Sequence, residues 1–94
     1  MRLGGTAFPI SFLASSVSLN QPFQASFTNT ANGDVSFTLG GQNVTGLPAG
    51  TQMLGPNGTV ILPGLVATSS VAGITVNITS PSERSQTYNI SVGA

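Results

Sequence analysis

Cysteine, histidine, lysine and tryptophan are all missing from this chain of 94 residues. Without cysteine there is no disulfide staple, thiol nucleophile or thiolate metal site. Without histidine or lysine the usual general bases and amine nucleophiles are gone, so none of the twelve serines has an activating partner. Charge is almost as scarce: Arg2, Asp34, Glu83 and Arg84 make up 4% of the residues and cancel to zero, against about 25% in ordinary soluble domains. Two carboxylates are too few for a metal site. A glycosidase pair would need both acids roughly 5–10 Å apart in one cleft. The expectation is a chain with no enzymatic activity, no metal and no cofactor. Two arginines cannot neutralise the roughly six to ten phosphates of a nucleic-acid footprint, so nucleic acid is excluded as a partner. No apolar run approaches the ~18 residues of a membrane span, and no basic amphipathic helix is present.

Polarity comes instead from 12 Ser, 11 Thr, 7 Asn and 5 Gln. Neutral hydrogen-bonding groups cost less to desolvate than charges do, and a surface with no net charge does not repel its own copies. Such a surface suits a protein that is covered by neighbours, or one coated with glycan. The length allows one domain with a modest core.

Period-two alternation runs through almost the whole chain. Phe8, Ile10 and Phe12 are separated by Pro9 and Ser11, and Val17 and Leu19 by Ser18. Phe23, Ala25 and Phe27 form a third set, and Val35, Phe37 and Leu39 a fourth. Ile74, Val76 and Ile78, then Tyr88, Ile90 and Val92, complete the pattern. Each set places apolar side chains on one sheet face and small polar ones on the other. Gln52-Met53-Leu54 and Thr59-Val60-Ile61-Leu62 read as short strands. The turns are equally sheet-like: Asn32-Gly33 predicts a hairpin between its flanking runs. Gly40-Gly41, Pro48-Ala49-Gly50, Pro56-Asn57-Gly58, Pro63-Gly64 and Pro81-Ser82 read as further turns. About seven to nine short antiparallel strands are expected, in a β-sandwich ahead of a closed barrel or jelly roll.

Residues 1–15 read as an N-terminal arm or leading strand before a sandwich over residues 16–94, with residues 1–5 glycine-rich and mobile. The short apolar stretch after Arg2 is broken by Pro9 and Ser11, and is read as lacking an export signal, with Met1 as the start. The leading strand either closes its own sheet or reaches into a neighbour's. Its candidate contact residues are Thr6, Phe8, Ile10, Phe12, Val17 and Leu19. Four glycosylation sequons begin at Asn43, Asn57, Asn77 and Asn89. Their composition alone accounts for some of them, and they would matter only on an exported chain. Asn77 and Asn89 fall in the outward phase. The five phenylalanines share a phase with Ile and Val, which assigns them to the core rather than to a carbohydrate platform. Asp34 reads as a turn stabiliser and Glu83-Arg84 as a solvated loop pair. Tyr88 is placed to carry its hydroxyl to a backbone partner at the sandwich rim.

From Ser16 onward the layout resembles the immunoglobulin-like modules of bacterial and archaeal surface proteins and of phage virion proteins. The likeness is carried by Asn43-Val44-Thr45-Gly46-Leu47-Pro48-Ala49-Gly50-Thr51 and by the closing pair, Gly73-Ile74-Thr75-Val76-Asn77-Ile78-Thr79 and Thr87-Tyr88-Asn89-Ile90-Ser91-Val92. The cysteine pair and tryptophan of antibody domains are absent. The resemblance implies an immunoglobulin-like β-sandwich with a structural or adhesive role and no catalytic residues. Together with the neutral surface it leads to the expectation of a virion protein, a capsid decoration (cement) or tail-associated subunit. Its partners would be capsid or tail proteins or copies of itself. The alternative is a cell-surface filament or adhesin subunit that assembles by donating its N-terminal strand.

Overall fold

In the computed structural model, which describes residues 7–93, the described residues form nine strands and no helix. They are β1 (Ile10–Ala14), β2 (Val17–Ser18), β3 (Pro22–Asn29), β4 (Val35–Gln42), β5 (Val44–Thr45), β6 (Gln52–Leu54), β7 (Thr59–Ala67), β8 (Val71–Ser80) and β9 (Arg84–Gly93). Four of them make one sheet in the order β1-β3-β7-β5, and five make the other in the order β2-β9-β8-β4-β6. All pairings are antiparallel except β2 with β9. Among the described residues no helix is long and apolar enough to cross a membrane.

The alternating residues face each other between the sheets. Ile10, Phe27 and Leu65 come from the four-stranded sheet and Val35, Phe37, Ile74 and Val76 from the five-stranded one, and all seven are essentially removed from solvent. The Phe27 and Phe37 rings lie 6.5 Å apart across the middle of the sandwich. Burying each such side chain contributes about 1.5–3 kcal/mol.

Connectivity is where the local turn signals mislead. The Asn32-Gly33 segment does not make a hairpin, because β3 belongs to the four-stranded sheet and β4 to the five-stranded one. Of the eight connections, seven pass from one sheet to the other, and only β8–β9 joins neighbours in the same sheet. Gly33 lacks the positive φ that a tight two-residue hairpin requires. Its loop is an arch over the core instead.

Two expected turns are strand interior. Gly40 and Gly41 pair with Thr75 and Ile74 inside β4, and the chain reverses afterwards at Asn43, whose φ is 56°. Pro63-Gly64 is a bulge: these two β7 residues oppose the single residue Gln24 of β3. The extra residue shifts the phase of β7. The inward set Val60 and Leu62 therefore continues as Leu65 and Ala67, and all four stay on the core side. Leu19 also departs from expectation. β2 ends at Ser18, so Leu19 falls in a turn and is exposed rather than core-facing.

A Cβ on Gly41 would stand 2.7 Å from the Val44 carbonyl oxygen, a backbone atom held by the β4–β5 reversal. Gly41→Ala is therefore expected to cost roughly 1–3 kcal/mol in urea unfolding. Gly40→Ala meets nothing within 4 Å and should leave the midpoint close to that of the unaltered chain.

Candidate assembly surface

The three described charges sit at one end of the sandwich. Asp34 lies in the β3–β4 arch and Glu83 and Arg84 at the β8–β9 turn. Residues of both loops, with Pro9, line a cleft of about 380 Å³ whose walls include Ala31, Val35, Ile78 and Pro81. Glu83 is exposed, as a loop residue should be. Arg84 is not the freely solvated side chain expected of it. Its guanidinium stands 5.5 Å from the centre of the Phe8 ring and donates from Nη1 to the Ala7 carbonyl.

Everything else on the two outer faces is neutral. On the four-stranded sheet the outward positions include Ser11, Leu13, Gln24, Ser26, Thr28, Thr59 and Ile61. On the five-stranded sheet they include Ser36, Thr38, Thr75, Asn77, Ser85, Thr87, Asn89 and Ser91. Cross-strand hydroxyl pairs mark both faces: Thr28 with Thr59 and Thr75 with Thr87, each at 2.8 Å. Hydroxyls both donate and accept. Such faces can be covered by a neighbour without stranding a charge.

The proposed contact segment is packed largely within the chain. Thr6 lies outside the described residues. Ile10 is fully buried and Val17 is buried beside Val92. Phe8 and Phe12 are half-buried around Tyr88: Phe12 stacks on it at 5.1 Å and 24°, and Phe8 meets it edge-on at 6.4 Å. The Tyr88 hydroxyl donates to the Ile10 carbonyl, tying β9 of one sheet to β1 of the other. β1 itself pairs with β3 over its whole length, from Ile10 opposite Asn29 to Ala14 opposite Ala25. On the other side, β9 has β2 as its only strand partner among the described residues, and only at Val92 and Gly93.

The four sequon asparagines are all exposed. Asn43 and Asn57 take positive φ in tight reversals. The Asn43 side-chain amide donates to the Val71 carbonyl at 2.7 Å, so this residue clamps one crossing to another. Asn77 and Asn89 project from the open face of the five-stranded sheet.

Sequence reasoning missed Asn29. It continues the inward phase of Phe23, Ala25 and Phe27, and it is completely buried. Its amide nitrogen donates to the Gly33 and Leu54 carbonyls at 2.9 and 2.8 Å, and its side-chain oxygen accepts from the Ala31 amide. One side chain thus ties the β3–β4 arch to the end of β6. The signal that would have found it is a polar residue in the inward phase of an otherwise apolar strand.

Burial raises the Tyr88 pKa above the ordinary tyrosine value of 10.0. No lysine, histidine or cysteine competes in that range. The folded state holds this proton more tightly than the unfolded state, so its contribution is complete below about pH 10 and is lost as pH rises above it. Unfolding midpoints are expected to fall above about pH 10, and Tyr88→Phe should flatten that fall. At neutral pH, Tyr88→Phe is expected to cost about 1 kcal/mol for the lost hydrogen bond.

No protein-family model and no curated protein matches this chain.

Proposed function

We propose that this chain is a non-enzymatic structural protein of a virus particle, an immunoglobulin-like capsid decoration or tail-associated subunit that stabilises the assembly by packing on its neighbours. The observation that carries the reading is the distribution of charge. The described charges gather at one end, while both sheet faces carry only neutral hydrogen-bonding and apolar side chains. A freely diffusing protein gains solubility from charge on its faces, and a subunit spreading over a shell or tube does not need it. The immunoglobulin-like assignment is supported by the two strand orders. β1-β3-β7-β5 runs as the A-B-E-D sheet of such sandwiches does, and β9-β8-β4 runs as G-F-C, with β2 and β6 added at the edges.

The test is density banding of intact particles from the source of this chain, with the protein followed by mass spectrometry. Comigration with the main shell or tube protein in a fixed ratio is the expected result. Recovery only from the soluble fraction would overturn it.

A second reading, a surface filament subunit built by strand donation, is favoured by one feature. β9 offers an extended edge over residues 84–91 that β2 does not cover, and such edges accept an added strand. Glycan mass on Asn77 or Asn89 in cell-surface material would select this reading over the first.

A further inference from the structure

Seven asparagines occur in the chain, and only Asn32 and Asn57 precede a glycine. The order matters for a reaction that needs no enzyme. The backbone nitrogen after an asparagine can attack the side-chain amide carbon and close a five-membered imide. The branched side chains of Thr30, Val44, Ile78 and Ile90 crowd that approach after Asn29, Asn43, Asn77 and Asn89. Glycine has no Cβ and leaves it open. By sequence the two Asn-Gly pairs are alike, and the fold separates them.

Asn57-Gly58 is held. Asn57 has a φ of 63° in a turn that contains Pro56, and its own amide donates to the Asn29 carbonyl at 2.8 Å. The Gly58 amide, which would have to attack, donates to the Gly55 carbonyl at 2.9 Å. Gly58 is packed so closely that an added Cβ would stand 3.0 Å from that carbonyl oxygen. Asn32-Gly33 has none of these restraints. Both residues are exposed in the β3–β4 arch, and a Cβ on Gly33 would meet nothing within 4 Å. Among the described residues neither the Asn32 side chain nor the Gly33 amide has a hydrogen bond.

We propose that Asn32 is a self-modifying site, which deamidates through an imide with Gly33 while the fold keeps Asn57 intact. The Gly33 nitrogen gives up its proton to solvent base and bonds to Asn32 Cγ. The Cγ–Nδ2 bond breaks, and the amide nitrogen leaves as ammonia. Water then opens the ring. Opening at Cγ gives aspartate, and opening at the backbone carbonyl gives isoaspartate, with the main chain running through the side chain. Either route consumes one water, releases one ammonia and leaves one new carboxylate.

The position gives the change two consequences. Asn32 lines the cleft at the charged end, where the carboxylates of Asp34 and Glu83 stand against the Arg84 guanidinium, and deamidation adds a further negative charge there. Asn32 also lies between the two arch groups that the Asn29 side chain holds, the Ala31 amide and the Gly33 carbonyl. Aspartate keeps that spacing. Isoaspartate adds a methylene to the backbone between them, so one of the two bonds must give way.

The test ages the full-length protein at neutral and at mildly alkaline pH. Digestion with pepsin in acid stops the reaction, and fragment-ion mass spectrometry reads Asn32 and Asn57 separately. Asn32 should convert about 10-fold or more faster than Asn57, the ratio set by one amide hydrogen bond that must break first. Its rate should rise with pH, and in concentrated urea, where the turn is lost, the two sites should convert alike. Gly33→Ala, which fits the open space, should slow Asn32 without lowering the unfolding midpoint. Asn32→Asp carries the charge without the extra methylene and should unfold near the original midpoint, while aged protein should contain a fraction that unfolds earlier. Equal rates in the folded protein, faster conversion at Asn57, or conversion of neither site outside urea overturns the assignment.

Discussion

Phe27→Ala is expected to cost about 3–5 kcal/mol, a large fraction of the roughly 5–15 kcal/mol that holds a domain together. Phe27 has no solvent exposure, lies 5.3 Å from Phe12 and 6.5 Å from Phe37, and so joins β1, β3 and β4 through one ring. A small module cannot close the void, because the neighbouring rings are fixed by strand pairing on both sides. Phe12→Ala removes a ring from the half-buried rim, where solvent can fill part of the space, and should cost clearly less. Urea unfolding of the two variants checks this order. Equal losses would mean that the rim, rather than the centre, bears the sandwich.

Asn29→Leu is expected to cost roughly 2–4 kcal/mol despite adding apolar volume at a fully buried site. The substitution leaves the Gly33 and Leu54 carbonyls and the Ala31 amide without their partner. Each stranded buried polar group costs about 1–3 kcal/mol, and partial access of water to the arch offsets some of it. Asn29→Asp retains the acceptor for Ala31 but loses both donations. It should fall between leucine and the unaltered chain near pH 4 and approach leucine at neutral pH, where its carboxylate faces two carbonyl oxygens. Hydrogen exchange at Ala31 and Asn57 locates the damage. The Ala31 amide donates to the Asn29 side-chain oxygen and the Asn57 amide to the Asn29 backbone carbonyl. An Asn29→Leu protein as stable as the original would remove Asn29 from this role.

Strand positions were legible in the sequence because alternation is a direct consequence of the pleat: the inward sets around Phe27, Phe37 and Ile74 all pack in the core. The closing pair β8 and β9 and the Tyr88 hydroxyl at the rim were legible for the same reason. Sheet membership was not. Turn residues such as Asn32 and Gly33 encode a change of direction, and an arch to the opposite sheet and a hairpin use the same chemistry. What separates them is the buried Asn29 network, which exists only once distant residues such as Leu54 are in place. Pro63-Gly64 looked like a chain reversal because both residues weaken a regular ladder, and a bulge tolerates them equally. The face of Leu13, Ser26 and Ile61 was half legible. Leu13 and Ile61 are apolar residues in the outward phase, but only the β1-β3-β7 register brings them together.

The decisive measurement compares charge added to the faces with charge removed from the end, read as retention on density-banded particles. Ser26→Lys and Thr87→Lys each place one charge on a neutral face, while Asp34→Asn and Glu83→Gln each remove one carboxylate from the charged end. Loss of retention on charging at least one face, with both carboxylate-removed variants retained, is the predicted result. Retention of both lysine variants, with loss on removing either carboxylate, would contradict it and move the contact to the Asp34, Glu83 and Arg84 pole.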